Sequence, residues 1–116
     1  MIKTINPCVI GLGYVGLPVF LRLQAKFQSI GFDSDLIRVK NLSKKIDTNK
    51  EFKKKQLILK NQSLISHDKK RIKISNFYIV TVPTPITKSN KPDLSHLINA
   101  SILIAKYLKK KRYSDL

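Results

Sequence analysis

The residues whose type and spacing could do chemistry are three glycines, Gly11, Gly13 and Gly16, set as G-x-G-x-x-G in the run Val9-Ile10-Gly11-Leu12-Gly13-Tyr14-Val15-Gly16-Leu17-Pro18. The chemistry is anion binding by backbone N–H groups. Gly11 allows a sharp exit from a strand, Gly13 lets the backbone approach a pyrophosphate, and Gly16 lets a following helix pack closely. Leu12, Tyr14 and Val15 lie in the same turn and are read with it as binding residues. Pro18 suits a first helical turn, where its missing N–H has no intrahelical partner to lose, and the helix N-terminus then faces the anion. Asp33 lies 17 residues beyond Gly16. A carboxylate there can accept hydrogen bonds from both hydroxyls of an adenosine ribose, and its charge repels a 2′-phosphate, which favours NAD over NADP.

These groups need strands and helices to hold them. Cys8 to Ile10 is predicted as a short first strand, and Val15, Val19, Phe20 and Leu23 recur at helical spacing after the glycines. Ser29 to Phe32 predicts a second strand ending at Asp33. Asp35 is placed to cap a helix through Leu36, Val39 and Leu42, and Thr48 to Leu59 reads as a further basic helix. Leu64 to Ser66 reads as a third strand. Phe77-Tyr78-Ile79-Val80-Thr81-Val82 carries the strongest strand signal, a continuous β-branched and aromatic run, and Pro83-Thr84-Pro85 stops it. Thr84 could donate to a ligand or support its own tight turn. Asp93 can cap a last helix, with Leu94, Leu97, Ile98, Ser101, Ile102, Ala105 and Leu108 as its apolar face. Beyond Leu108 that pattern stops and no strand follows.

The chain has 116 residues, enough for one domain or part of one. It carries 23 Lys and Arg against 7 Asp and Glu, which raises a polyanion or nucleic-acid binder as an alternative class. Thirteen of the basic residues spread from Arg38 to Lys73 and five from Lys106 to Arg112, without a nucleic-acid-binding signature, so they read as a solvated face. One cysteine excludes an internal disulfide and fits a reducing cytoplasm. No apolar run approaches the roughly 18 residues of a membrane span, so no membrane partner is expected. Cys8 has no base near it in sequence and reads as a buried small hydrophobe, not a nucleophile. His67 and His96 sit in polar surroundings without an identifiable partner.

Taken together, the glycine run, Ile30-Gly31-Phe32-Asp33, Tyr78-Ile79-Val80-Thr81-Val82-Pro83-Thr84-Pro85 and Pro92-Asp93-Leu94-Ser95 resemble the N-terminal region of the UDP-glucose/GDP-mannose dehydrogenase family. The resemblance runs from about Pro7 to Leu108. Its last two pieces look most like the branch that oxidises UDP-N-acetylhexosamines for surface polysaccharides, such as UDP-N-acetylgalactosamine dehydrogenases. It implies an α/β fold, a Rossmann-type doubly wound parallel sheet of order 3-2-1-4 truncated to its first half, with residues 1–116 as a partial NAD-binding domain and the substrate domains absent. It implies NAD as cofactor, with residues 11–16 on the pyrophosphate, Asp33 on the ribose, Arg38 near the adenosine end, and Val82, Pro83 and Thr84 along the nicotinamide side. The family reaction is a two-step oxidation of a sugar C6 alcohol to a carboxylate through a cysteine-bound thiohemiacetal, in an enzyme expected to be a homo-oligomer.

No catalytic residue carries over, since none of the 116 residues matches the family's cysteine motif. A nucleotide-sugar partner is therefore expected only for the full-length enzyme, and this chain alone is expected to be inactive, with a stand-alone NAD-binding module as a further alternative. At Lys109 to Leu116 the sequence departs from the family's strand. With adenine-rich lysine codons assumed, a one-base shift restores the family pattern, so a frameshift is the expected cause and the nucleotides past Leu116 test it. The outer edge of the Tyr78 to Val82 strand would then be uncovered and prone to aggregation.

Overall fold

A computed structural model describes residues 4–115, with side chains described as far as residue 107. Four short strands, β1 (Pro7–Ile10), β2 (Ile30–Phe32), β3 (Leu64–Ser66) and β4 (Phe77–Val80), form one sheet in the order β3-β2-β1-β4. All three pairings are parallel, with Cys8 opposite Ile30 and Tyr78, and Gly31 opposite Ile65. Helices α1 (Gly16–Leu23), α2 (Leu36–Ser43) and α3 (Ser95–Asp115) complete the domain. This is the doubly wound α/β arrangement, and its strand order is the expected one.

Because side chains alternate across a strand, β1 feeds two cores. Cys8 and Ile10 join Ile30, Phe32, Ile72 and Ala100 on one face, while Val9 joins Leu12, Leu17, Phe20 and Leu42 on the other. Gly31 belongs to the second face by omission. A Cβ there would lie 3.1 Å from the Phe20 ring and 3.2 Å from a Leu12 methyl, so the missing side chain lets both settle onto β2. Asp35 caps α2 by accepting the N–H groups of Ile37 and Arg38, as its position suggested. Asp93 accepts the Ser95 N–H at the start of α3.

Several elements differ from their sequence patterns. Thr48 to Leu59 is not a helix. It is a series of turns with one 3₁₀ turn at Lys54–Gln56, because the Asp47 carboxylate collects the N–H groups of Asn49, Glu51 and Phe52, and Lys50 adopts φ 58°. In a helix begun at Asp47 the Glu51 and Phe52 donors would instead have bonded along the helix. The fourth strand ends at Val80 rather than Val82, since its partner β1 turns away at Gly11. In α1 the buried residues are Gly16, Leu17 and Phe20, whereas Val15 precedes the helix and is exposed.

In α3 the expected face is the wrong one. Leu94, Leu97, Ile98 and Ile102 are exposed, and Ala100, Leu103, Ile104 and Tyr107 pack on the sheet. The helix is apolar on two stripes, and the small Ala100 permits the closer approach. The Leu108 side chain lies outside the described ones. The helix does not stop near Leu108 but continues to Asp115, and Leu116 falls outside the described residues. No helix among the described residues is long and apolar enough to cross a membrane.

Candidate functional site

The strand order reverses between β1 and β4. In a doubly wound sheet the loops leaving two such strands diverge to opposite faces and open a crevice at the strand C-termini. Here those loops are the glycine turn after Ile10 and the Val82-Pro83-Thr84-Pro85 segment after β4. They are joined at their base by Thr81. Its N–H donates to the Ile10 carbonyl (2.8 Å) and its hydroxyl to the Gly11 carbonyl (2.7 Å).

Two of the three glycines are required by this join. Gly11 has φ 99°, and a Cβ on it would lie 2.9 Å from the Thr81 carbonyl oxygen. A Cβ on Gly16 would strike the Gly11 carbonyl and the Thr81 hydroxyl. Gly16 therefore lets α1 pack on the turn and on the end of β4, a more specific contact than helix against sheet. Gly13 is different: a Cβ there meets nothing within 4 Å. The space in front of Gly13 is open and does not serve packing.

The helix behind this space begins without a side-chain cap, since Val15 at the N-cap makes no such bond. Tyr14 and Val15 are both exposed beside it, whereas Leu12 is fully buried. An uncapped helix start offers its first N–H groups and the positive end of its dipole to an anion. Open space at Gly13 and an uncapped α1 fit a dinucleotide pyrophosphate.

Asp33 follows β2 immediately, at intermediate exposure. Its Oδ2 accepts the Leu12 N–H and its Oδ1 the Asp35 N–H, both at 2.9 Å. The carboxylate therefore braces the glycine turn, a function its spacing did not announce. An ionised carboxylate has about four acceptor positions, so capacity remains for ribose hydroxyls. Arg38 is buried on α2. Its Nε donates to the Leu12 carbonyl and its Nη1 to Asp47, each at 2.8 Å. Thr84 and Pro83 are exposed and Val82 is half-buried against the β1 core, so the first two project from the crevice wall.

Thr81 and Asp47 are the structurally decisive residues that sequence reasoning passed over. Thr81 looked like one more β-branched strand residue, and Asp47 stands just before the basic stretch read as helical. Cys8 is fully buried on β1, and burial pushes its thiol up to about 12 despite a hydrogen bond with Ser75, so it cannot supply a thiolate near neutrality. His67 and His96 are exposed and remote in sequence from the turn. Among the described residues no three His, Cys, Asp or Glu gather as a metal site. A concavity of about 800 Å³ lined in part by Arg22, Gln24, Phe52 and Ile58 does not include the glycine turn.

Comparison with known proteins agrees with this geometry. Residues 5–113 match the model of the UDP-glucose/GDP-mannose dehydrogenase family, NAD binding domain. The chain is 39% identical over 100 residues to UDP-N-acetyl-D-glucosamine 6-dehydrogenase of Salmonella typhi, a match covering 86% of this chain and 24% of that protein. It is 40% identical over 104 residues to Protein CapL of Staphylococcus aureus, covering 89% and 24%. Among solved structures, a UDP-D-ManNAc dehydrogenase from Pyrococcus horikoshii superposes with a TM-score of 0.79 at 27% identity, covering 89% of this chain and 26% of that one. The chain thus spans about a quarter of the length of these relatives. The match leaves the polyanion-binder alternative without support. With parallel order, glycine turn and acidic strand end all in place, the chain belongs to the UDP-glucose/GDP-mannose dehydrogenase family, as an NAD-binding domain of its N-terminal region.

Proposed function

We propose that this domain holds the NAD of a nucleotide-sugar 6-dehydrogenase that oxidises the C6 alcohol of a UDP-N-acetylhexosamine to the carboxylate. The single observation that carries the reading is the contrast among the glycines: Gly11 and Gly16 are filled by their surroundings, whereas Gly13 faces open space at an uncapped helix start. NAD, when bound, supplies the hydride acceptor. The chain's own residues bind and orient it. Residues 11–16 receive the pyrophosphate, Asp33 accepts from the ribose hydroxyls, Arg38 borders the adenosine end, and Val82, Pro83 and Thr84 line the nicotinamide side.

The sugar assignment is supported by the relative from Salmonella typhi, whose name specifies UDP-N-acetyl-D-glucosamine. The branch resemblance extends it to UDP-N-acetylgalactosamine. On this reading residues 1–116 are a partial NAD-binding domain, and the catalytic cysteine, the substrate site and the subunit contacts of a homo-oligomer belong to further domains. The assembled enzyme would work in the cytoplasm.

Titration calorimetry of the chain with NAD and with NADP tests the cofactor reading. NAD is expected to bind and NADP to bind more weakly, because Asp33 would face its 2′-phosphate. Absence of NAD binding, or a preference for NADP, would contradict the assignment. Mixing the chain with NAD and either UDP-N-acetylhexosamine is expected to give no NADH absorbance.

A further inference from the structure

Asp47 has no assigned role, yet it is among the most fully engaged side chains of the domain. Its carboxylate side chain is completely buried and accepts four hydrogen bonds: from Arg38 Nη1 at 2.8 Å, Asn49 N at 3.0 Å, Glu51 N at 2.9 Å and Phe52 N at 3.1 Å. Burial acts to raise its carboxyl pKa, but the bonds from Arg38 and the three N–H groups outweigh it and hold the group below the usual carboxylate range. The segment from Asp47 to Phe52 is thus wrapped around a charge whose remaining partner is Arg38.

Arg38 in turn spends its Nε on the Leu12 carbonyl. A planar trans peptide points its N–H opposite to its C=O, so a contact that fixes the Leu12 carbonyl also fixes the direction of the Gly13 N–H, away from Arg38. On the other side of Leu12, Asp33 Oδ2 holds the Leu12 N–H. The two successive peptide groups around Leu12 are therefore gripped by two side chains from different elements. One grip, Asp33, is part of the cofactor site. The other is only as directed as the guanidinium, and a guanidinium has a fixed fork that a second anchor can orient.

We propose that Asp47 is a positioning residue for the cofactor site: it orients Arg38, Arg38 fixes the Leu12–Gly13 peptide, and that peptide presents the glycine turn to the pyrophosphate. The proposal rests on the NAD-binding reading above. Asp47 cannot touch the cofactor itself, since its side chain has no exposed surface. Its effect runs through Arg38 and the turn.

The test uses the full chain as wild type, Asp47→Asn and Arg38→Lys, held well below each melting temperature. NAD affinity is measured by calorimetry, and the Leu12 and Gly13 amide resonances are followed by NMR without ligand. Asn keeps the shape and an acceptor but loses the charge; Lys keeps the charge but not the fork. Both variants are expected to stay folded, to shift the Gly13 amide, and to raise the NAD dissociation constant about tenfold. A merely structural pair would lower the melting temperature while leaving the Gly13 resonance and the affinity of the folded protein unchanged, and that result overturns the proposal. Loss of the folded spectrum in both variants overturns it too, making the pair a folding element. If the wild type itself fails to bind NAD, the functional reading falls and takes this proposal with it, a failure recognisable without either variant.

Discussion

The two sides of the β1/β4 crevice are built differently. On the β1–α1–β2 side, Leu12, Leu17 and Phe20 are almost wholly buried, and the turn is tied by Asp33, Arg38 and Thr81. On the β4–α3 side, Phe77 is 52% exposed, Ile102 is 65% exposed, and the Pro83–Thr84 segment stands clear of the core. The first side is completed by the chain's own residues. The second presents an edge strand and a helix with one apolar stripe engaged and another uncovered. On the proposed reading, the adenosine and pyrophosphate end of the site falls on the better-built half and the nicotinamide end on the sparser one.

This asymmetry can be broken most severely at Gly16. Gly16→Ala would drive a methyl into the Gly11 carbonyl and the Thr81 hydroxyl, which must move the helix or the turn. A loss of about 3 kcal/mol or more is expected in urea unfolding, a large share of the roughly 5–15 kcal/mol of a typical domain. A melting curve like that of the wild type would show the turn to be softer than described.

The helix on the sparser side offers a paired comparison. Ala100 is 5% exposed on the packed stripe, so Ala100→Asp is expected to cost about 3 kcal/mol by burying a carboxylate. Ile102→Asp on the uncovered stripe is expected to change stability by no more than about 0.5 kcal/mol. Equal effects at the two positions would mean that α3 is turned differently on the sheet.

Acid stability sharpens the comparison further. The folded-state pKa of Asp47 lies below its ordinary value of 3.8, so in the window between the two the unfolded chain holds more protons. The stabilisation is complete above that ordinary value and is lost as pH falls through the folded one. Asp47→Asn should flatten this acid limb, and an unchanged pH dependence of the melting temperature would show that Asp47 does not set it.

The smallest expected effect is in ligand size. ADP-ribose, which lacks the nicotinamide, should bind this chain within about threefold of NAD, because the better-built half of the site meets the part they share. A large preference for NAD would relocate the binding energy to Val82, Pro83 and Thr84.

Much of this organisation is legible in the sequence because it is local. Asp35 acts on N–H groups two and three positions away, and the glycines with Asp33 at a strand end form a compact pattern, although their contacts reach Thr81 and Leu12. The strand order followed from the resemblance. What was illegible depends on distant choices. Arg38 and Asp47 are nine residues apart and belong to no periodic pattern, and Asp47 draws the Glu51 and Phe52 N–H groups away from the expected helix. For α3, the sequence offers two apolar stripes, and only the surface it meets selects Ala100 and Leu103 over Ile98 and Ile102. Thr81 gains its importance from Gly11, 70 positions away.

On the proposed reading, Gly13 carries no side chain because the turn admits a pyrophosphate, not because the fold needs the space. Calorimetry with NAD on wild type and Gly13→Val, alongside their melting curves, tests this most directly. A side chain at Gly13 meets nothing within 4 Å of its Cβ, so the account predicts nearly unchanged melting and abolished NAD binding. NAD binding of wild-type strength in a folded Gly13→Val protein would contradict it.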